Sequence, residues 1–294
     1  MAKKLLLIVN PCAGQKKAIK ELGHILEIFS ERGFISTVMM TEYSRHATEI
    51  ARESAGAYDL IVCAGGDGTL NETISGVLSS GKKTPIAYLP CGTTNDLSVT
   101  LGLSRDMEQA ASDAAGEHTR QLDIGLFNGR HFVYTASFGA FTKASYATPQ
   151  SMKNMLGYLA YVLEGVKEVW HLKGIRAKVT TDAGIFEGEY LFGSITNSTS
   201  LAGILTLDKE TVKLDDGCFE LLLVEKPENA LEYSRLLSQI ALKRYDDKLK
   251  LHKITSAEIQ TEAPIDWTLD GELAPGNTEF FIQNLMNAIE IKVP

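Results

Sequence analysis

The sequence predicts an α/β protein of two domains: an N-terminal doubly wound, Rossmann-like α/β domain and a C-terminal, mainly antiparallel β-sandwich domain. Three observations predict it. Over residues 1–125, short apolar runs alternate with helical patterns, as in a parallel sheet covered by helices on both faces. Over residues 126–294 the texture shifts to short, alternating, β-rich runs, which favour antiparallel pairing. The chain has 294 residues, 44% of them hydrophobic and 22% charged, which gives it the length of about two domains and a globular composition.

The elements follow in order. Residues 5–9 (Leu-Leu-Leu-Ile-Val) read as a buried strand ending in the turn Asn10, Pro11, Cys12, Ala13, Gly14. A helix over 17–32 carries Ile19, Leu22, Ile25, Leu26 and Phe29 on one face, and Gly33 stops it. Residues 36–40 form a strand, 41–44 a polar loop, and 44–55 a helix with Ser44 as its cap. A strand over 60–64, a helix over 70–79, a strand over 86–89, a helix over 107–115 and a strand over 120–124 complete the first domain. In the second domain, strands are expected over 132–137, 175–181, 185–194, 219–224, 254–261, 267–269 and 280–283. Helices over 151–169 and 230–244 interrupt them. The C-terminal end is expected to return to the first domain.

Composition excludes several functions. Lys plus Arg is 29 and Asp plus Glu is 37, so 29 − 37 gives −8, and the chain lacks the broad basic footprint of a nucleic-acid binder. No run approaches the roughly 18 apolar residues of a membrane span. Cys12, Cys63, Cys91 and Cys218 show neither metal spacing nor a disulfide framework, which fits a reducing, cytoplasmic setting.

The strongest motif is Gly65-Gly66-Asp67-Gly68-Thr69-Leu70-Asn71-Glu72, placed between a strand and a helix start. Glycines allow the backbone to approach a ligand with no Cβ in the way. Successive N–H groups at a helix N-terminus then present partial positive charge to a phosphate. Asp67 adds a carboxylate that phosphate alone would disfavour, and a Mg²⁺ bridging the two resolves the conflict. Two near misses are set aside. The dinucleotide fingerprint needs a third glycine where Asn71 stands, and the Walker-like stretch 76–83 has Lys83 where Ser or Thr is required. A ligand-free tight turn is the alternative. A second polar turn, Leu89-Pro90-Cys91-Gly92-Thr93-Thr94-Asn95-Asp96, follows the next strand. Ligands in open α/β sheets bind at such carboxyl ends, and the loop 10–14 opens at the same edge.

With these residues the sequence resembles the diacylglycerol kinase catalytic domain family, and in layout its small soluble bacterial lipid kinases. Beyond the two turns, the likeness takes in Asn10-Pro11, Thr41, Leu122-Asp123-Ile124-Gly125, Asp216-Gly217 and Leu269-Asp270-Gly271-Glu272. The Gly-Gly-Asp-Gly core is shared with NAD kinases and phosphofructokinases; the Pro-x-Gly-Thr-x-Asn-Asp turn and the late Asp-Gly-Glu point to the lipid kinase branch.

The resemblance implies an ATP-dependent kinase moving the γ-phosphate of ATP to a lipid hydroxyl, with diacylglycerol giving phosphatidic acid. It places the nucleotide in a cleft that the second domain closes. Asn10, Pro11, Cys12, Ala13, Gly14, Thr41, Gly66, Asp67, Gly68, Thr69, Leu70, Asn71, Glu72 and Thr93 match nucleotide-contacting positions. Glu272 or Asp270 supplies the base. A structural Mg²⁺ is implied at Asp216 and the backbone carbonyls near Lys213 and Cys218. The chemistry agrees: Asp67 with Mg²⁺ neutralises phosphate charge, the glycine turn aligns the phosphates, and a carboxylate accepts the hydroxyl proton. An NAD kinase-like phosphotransferase and a non-catalytic nucleotide or lipid sensor are the alternatives.

Other features are read more plainly. The histidines show no ligand spacing. Lys16, Lys17 and Lys20 meet phosphates or cover a solvated helix face. Met152, Met155, Leu156, Leu159, Val162, Leu163 and Val166 form a stripe at helical spacing, which packs a core or touches acyl chains. Lys243, Arg244, Lys248, Lys250 and Lys253 form a basic cluster that is either solvated or faces an anionic membrane. The implied partners are a lipid substrate and, peripherally, a membrane surface, with an exposed sheet edge that would support a homodimer.

Overall fold

A computed structural model describes residues 2–93, 95–139, 173–198, 200–201, 205–206, 212–242, 244–245 and 248–294. The helix expected over 151–169, with its stripe from Met152 to Val166, lies outside the described residues, as do Thr94, Lys243 and residues 207–211. The chain forms two compact units, Met1–Leu122 with Asn287–Pro294, and Asp123–Met286.

The first unit is built on β1 (Lys3–Val9), β2 (Phe34–Met40), β3 (Leu60–Gly65) and β4 (Ile86–Pro90). They are parallel, in the order β4-β3-β1-β2. The central strands are buried on both faces: Leu5, Leu6, Leu7, Ile8 and Val9 are inaccessible, as are Ile61, Val62 and Cys63. That is why they read as continuous apolar runs and not as alternating ones. Around them lie α1 (Lys17–Lys20), α2 (Leu22–Glu31), α3 (His46–Ser54), α4 (Asp67–Ser79), α5 (Asp96–Leu101) and α6 (Met107–Ala114). Asp106 caps α6 by accepting the Gln109 N–H at 3.0 Å.

Three local expectations need correction. The helix expected over 17–32 is broken at Glu21 (φ −103°, ψ 7°) into α1 and α2, after a 3₁₀ turn at Gly14–Lys16. Gly23, which packs against nothing, lowers helix propensity at that break. Ser44 does not cap α3. Arg45 holds the cap position in the left-handed region, and the Glu72 carboxylate, from α4, accepts the N–H groups of Arg45 (2.8 Å) and Ala47 (3.3 Å). A capping oxygen from another element is invisible to local sequence rules. Finally, α5 was legible only as a turn, since its six residues are too short to show a period.

In the second unit, β5 (Thr119–Phe127) leads from the first, and β6 (Arg130–Phe132), β7 (Thr135–Gly139), β8 (Ile175–Thr181), β9 (Gly184–Thr196), β12 (Phe219–Glu225), β13 (Leu249–Ile254), β14 (Ser256–Leu269) and β15 (Glu272–Lys292) follow. Two short strands, β10 (Ser200–Leu201) and β11 (Leu205–Thr206), pair with each other. The single helix described here is α7 (Ala230–Leu242). β5 pairs with β6, and β7, β8, β9, β12, β13, β14 and β15 pair with one another, in antiparallel fashion. β7 and β8 both pair with β9 and with β14, at opposite ends of those long strands. Both branches feed one core, with Ala136 and Phe138 from β7 and Ala177 and Val179 from β8, so the sheet folds over on itself. Register shifts in β14 between Gln260 and Trp267 supply the bend. Trp267 centres that core, with the rings of Phe127, Phe138 and Phe280 at 4.9, 4.8 and 5.3 Å. The runs expected over 254–261 and 267–269 are one strand, and β13 was masked in the sequence by its lysines. The last residues of β15 return to the first unit, where Ile291 pairs with Ile86 of β4 in parallel. Among the described residues no helix is long and apolar enough to cross a membrane.

Candidate functional site

Three loops at the carboxyl ends of β1, β3 and β4 converge in the first unit. Asn10 follows β1; its backbone N–H reaches the Ala64 carbonyl (2.9 Å), its amide donates to Thr69 Oγ1 (3.0 Å), and its Oδ1 accepts the Cys12 N–H (3.0 Å). One side chain therefore ties the first loop to the second. The third loop is tied to the second by the N–H groups of Cys91 and Gly92, both donating to the Gly65 carbonyl (2.7 and 3.2 Å). Glycines make this approach possible. A Cβ on Gly14, which stands at φ +41°, would collide with the Cys91 carbonyl, and one on Gly92 would lie 2.7 Å from Gly66 Cα.

Asn95, the Asn of the Pro-x-Gly-Thr-x-Asn-Asp turn, is the hub of the third loop, a structural role that the motif alone does not assign to it. It is buried at φ 55°, donates from its amide to the Gly92 carbonyl (2.8 Å) and accepts the Tyr88 hydroxyl (3.0 Å). An Asn just before a short helix is also a recognisable left-handed candidate.

The same loops surround the start of α4. Its cap residue is Gly66, in extended backbone, which has no side chain with which to cap the first turn. With glycine at the cap, the N-terminus of this 13-residue helix is suited to an anion. Asn10, Cys12, Ala13, Gly14, Thr41, Gly66, Gly68, Thr69, Glu72 and Thr93 share one open cavity of about 540 Å³ beside it. Pro11, Asp67, Leu70 and Asn71 are not in that lining. The Leu70 side chain is buried and its N–H is bonded to the Gly66 carbonyl (3.1 Å), so it acts as core. Asp67 occupies the first turn of α4, where its oxygens and those of a bound phosphate would make the all-oxygen donor set that Mg²⁺ prefers. Neighbouring thiols are inert: burial lifts Cys63 far above the ordinary range and Cys91 to about 11. A larger groove of about 700 Å³ runs along β8, β14 and β15 in the second unit, and none of its lining residues belongs to the motifs named above.

The second unit separates the roles of Asp270 and Glu272. Asp270 and Gly271 both have positive φ (48° and 86°) and join β14 to β15 in the two-residue hairpin that Asp-Gly favours. The Asp270 carboxylate is 9% exposed and accepts the N–H groups of Val133 (2.6 Å), Tyr134 (3.0 Å) and Thr135 (2.9 Å). This explains why the single strand expected over 132–137 is split into β6 and β7: a side chain, not a strand, takes those donors. Glu272 has a side chain 58% exposed and pairs with the Arg130 guanidinium, which also donates to the Leu273 carbonyl (3.0 Å).

Lys213, Asp216 and Cys218 lie together in the loop before β12, but the Asp216 carboxylate is engaged. Its Oδ1 accepts the Cys218 N–H (3.1 Å) and its Oδ2 the Lys253 ammonium (2.6 Å). As arranged, the loop holds a lysine on the oxygen a divalent cation would take. Among the described residues no three His, Cys, Asp or Glu side chains gather as a metal cluster. The same lysine settles part of the basic cluster. Lys253 pairs with Asp216, Lys250 with Glu225, and Lys248 with Glu225 (3.6 Å) and Glu232 (3.4 Å), so these cations serve an ion-pair network and do not form an open basic face.

Beside this network Glu220 is 1% exposed, and among the described residues no other residue hydrogen-bonds its carboxylate oxygens. Burial pushes its carboxyl up to about 8, against the pull of Lys253 at 3.9 Å. A raised carboxyl means the folded protein keeps a proton that the unfolded chain releases near its ordinary value of 4.5. Its contribution to stability is thus intact below that value and is lost as pH rises toward 8. Glu220→Gln is expected to be more stable than the parent at pH 8.5 by a few kcal/mol, roughly 1.4 per pKa unit, with the gap closing by pH 4.5. Urea unfolding at both pH values measures this; a gap independent of pH refutes it.

The comparisons with known proteins agree with these motifs. The family described as the diacylglycerol kinase catalytic domain matches residues 4–127. The chain is similar to a protein named diacylglycerol kinase from Bacillus subtilis (strain 168), 31% identical over 299 residues, covering 99% of this chain and 97% of that one. It is similar to another of that name from Staphylococcus saprophyticus, 32% identical, covering 100% and 96%. Among solved structures, a diacylglycerol kinase from Bacillus anthracis str. Sterne superposes with a TM-score of 0.79 at 28% identity, covering 99% of this chain and 97% of that one. With three glycine-bearing loops built around a glycine-capped helix start, and with relatives above 30% identity along its whole length, the chain belongs to the diacylglycerol kinase catalytic domain family and is a lipid kinase.

Proposed function

We propose that this kinase transfers the γ-phosphate of ATP to the free hydroxyl of diacylglycerol, giving phosphatidic acid and ADP. The observation that carries the reading is the glycine-capped N-terminus of α4 opening on the cavity of the three loops. Its first-turn N–H groups hold the polyphosphate, with Thr69 and Thr93 offering hydroxyls at the rim. Mg²⁺ held by Asp67 and the phosphates supplies neutralising charge when bound. The lipid oxygen forms the new P–O bond as the β–γ bridging bond breaks. Glu272 accepts the hydroxyl proton: it is exposed and oriented by Arg130, whereas both Asp270 oxygens serve the backbone. The lipid acceptor calls for action at a membrane surface, on its cytoplasmic side, and the edge of β13, unpaired among the described residues, offers a second copy a place to dimerise. The test is transfer of label from ATP to diacylglycerol in mixed micelles, with and without Mg²⁺. No transfer to any member of a panel of lipid alcohols overturns the proposal.

A second Mg²⁺ at Asp216 and the carbonyls of Lys213 and Cys218 requires Lys253 to leave Oδ2. Lys253→Met removes that competitor, so millimolar Mg²⁺ is expected to raise the melting temperature of the variant more than that of the parent, by several degrees. Equal responses in a thermal-shift titration exclude the ion from this loop.

A further inference from the structure

We infer that the nucleotide cavity carries a base platform: Tyr43, backed by His46, stacks on the aromatic base of the bound nucleotide and selects purines. The inference rests on the nucleotide reading of that cavity given above. Tyr43 lines the same 540 Å³ cavity as Gly66, Gly68 and Thr69. Its ring is 54% exposed, yet it is not free to turn. The imidazole of His46 lies parallel to it, with centroids 4.4 Å apart and planes within 8°. The phenol hydroxyl donates to Glu49 Oε2 at 2.7 Å. The Glu42 N–H donates to His46 Nδ1 at 3.1 Å, which makes that nitrogen an acceptor and fixes the imidazole behind the phenol.

The platform is also fixed relative to the phosphate turn. Glu72, one turn into α4 from Gly68, holds the N–H groups of Arg45 and Ala47 through its two oxygens (2.8 and 3.3 Å). At the other end of the loop the Thr41 N–H donates to the Val9 carbonyl at the end of β1 (2.9 Å). A flat aromatic face is thus presented, already ordered, at a set distance from the helix start that attracts phosphate, and ordering before binding lowers the cost of association. Charge fixes the direction in which a ligand lies. Glu42 and Glu49 beside Tyr43 repel phosphate, whereas the α4 N-terminus attracts it and the cation of the proposed function would offset the Asp67 carboxylate there. The polyphosphate therefore lies at α4 and an uncharged group at Tyr43. Stacking needs a π face, and a purine offers the larger one.

The experiment is calorimetric titration of the parent, Tyr43→Ala and Tyr43→Trp proteins with MgATP, MgCTP and magnesium tripolyphosphate. Tyr43 is exposed, so the variants are expected to keep the parent's melting temperature, which is checked first. The expected result is about tenfold weaker MgATP binding by Tyr43→Ala, retention by Tyr43→Trp, tighter MgATP than MgCTP binding by the parent, and tripolyphosphate binding unchanged in all three. Unchanged MgATP binding by Tyr43→Ala overturns the platform. So does an equal loss of tripolyphosphate binding, which would mean the loop acts on the phosphate turn instead. If the parent binds neither MgATP nor tripolyphosphate, the nucleotide reading falls and the platform with it.

Discussion

Asp67→Asn is expected to lower the rate of phosphoryl transfer by at least about a thousandfold, roughly 4 kcal/mol of lost transition-state stabilisation. The substitution keeps the size and most of the hydrogen-bonding capacity of the side chain and removes only its charge. Asp67 lies in the first turn of α4, where a carboxylate is favourable to the helix, so neutralising it costs the fold about 1 kcal/mol or less. On the proposed function the activity loss is much larger, because Asp67 would hold a divalent cation against the phosphate chain and an amide oxygen is a weaker ligand. In phosphoryl transfer nearly all of the catalysis is positioning and charge stabilisation, so removing one anchor of the cation is felt in full. Single-turnover transfer at saturating lipid measures the rate, and a melting curve measures the fold. A rate within tenfold of the parent removes Asp67 from the reaction.

How much of this was written in the chain is seen from particular residues. The parallel sheet was legible because Leu5, Leu6, Leu7, Ile8 and Val9 are buried on both faces and leave an unbroken apolar run. The glycine turn was legible because backbone proximity demands glycine, and that demand is local. What stayed hidden came from contacts distant in sequence. Glu72 reads as one more acidic residue of a helix, yet it caps another helix 25 or more residues earlier. Lys253 reads as part of a basic cluster until the Asp216 carboxylate is found beside it. The motif Asp270-Gly271-Glu272 offered two acids for one task. Only the side-chain partners distinguish them, since alternate exposure and burial within a hairpin turn depend on what the turn packs against.

That distinction yields the second large effect. Asp270→Ala is expected to destabilise the second unit by roughly 3–5 kcal/mol. Three N–H groups, of Val133, Tyr134 and Thr135, lose the carboxylate that satisfies them, and a buried donor left without an acceptor costs about 1–3 kcal/mol. The sum is less than three full penalties because water enters as the break between β6 and β7 loosens. A second, smaller cost is the backbone: alanine at φ 48° pays about 1 kcal/mol that glycine does not. Asp270→Gly is therefore expected to recover about 1 kcal/mol of the loss and no more, since it relieves the backbone and leaves the donors stranded. Glu272→Gln provides the contrast. Its side chain is exposed and its partner Arg130 keeps the bond to the Leu273 carbonyl, so stability is expected to hold within about 1 kcal/mol while turnover falls by at least a hundredfold. Urea unfolding and label transfer, run on all three variants, assign the roles. If Asp270→Ala unfolds like the parent, or if Glu272→Gln turns over like it, the division between a carboxylate that holds the backbone and a carboxylate that takes the proton is wrong.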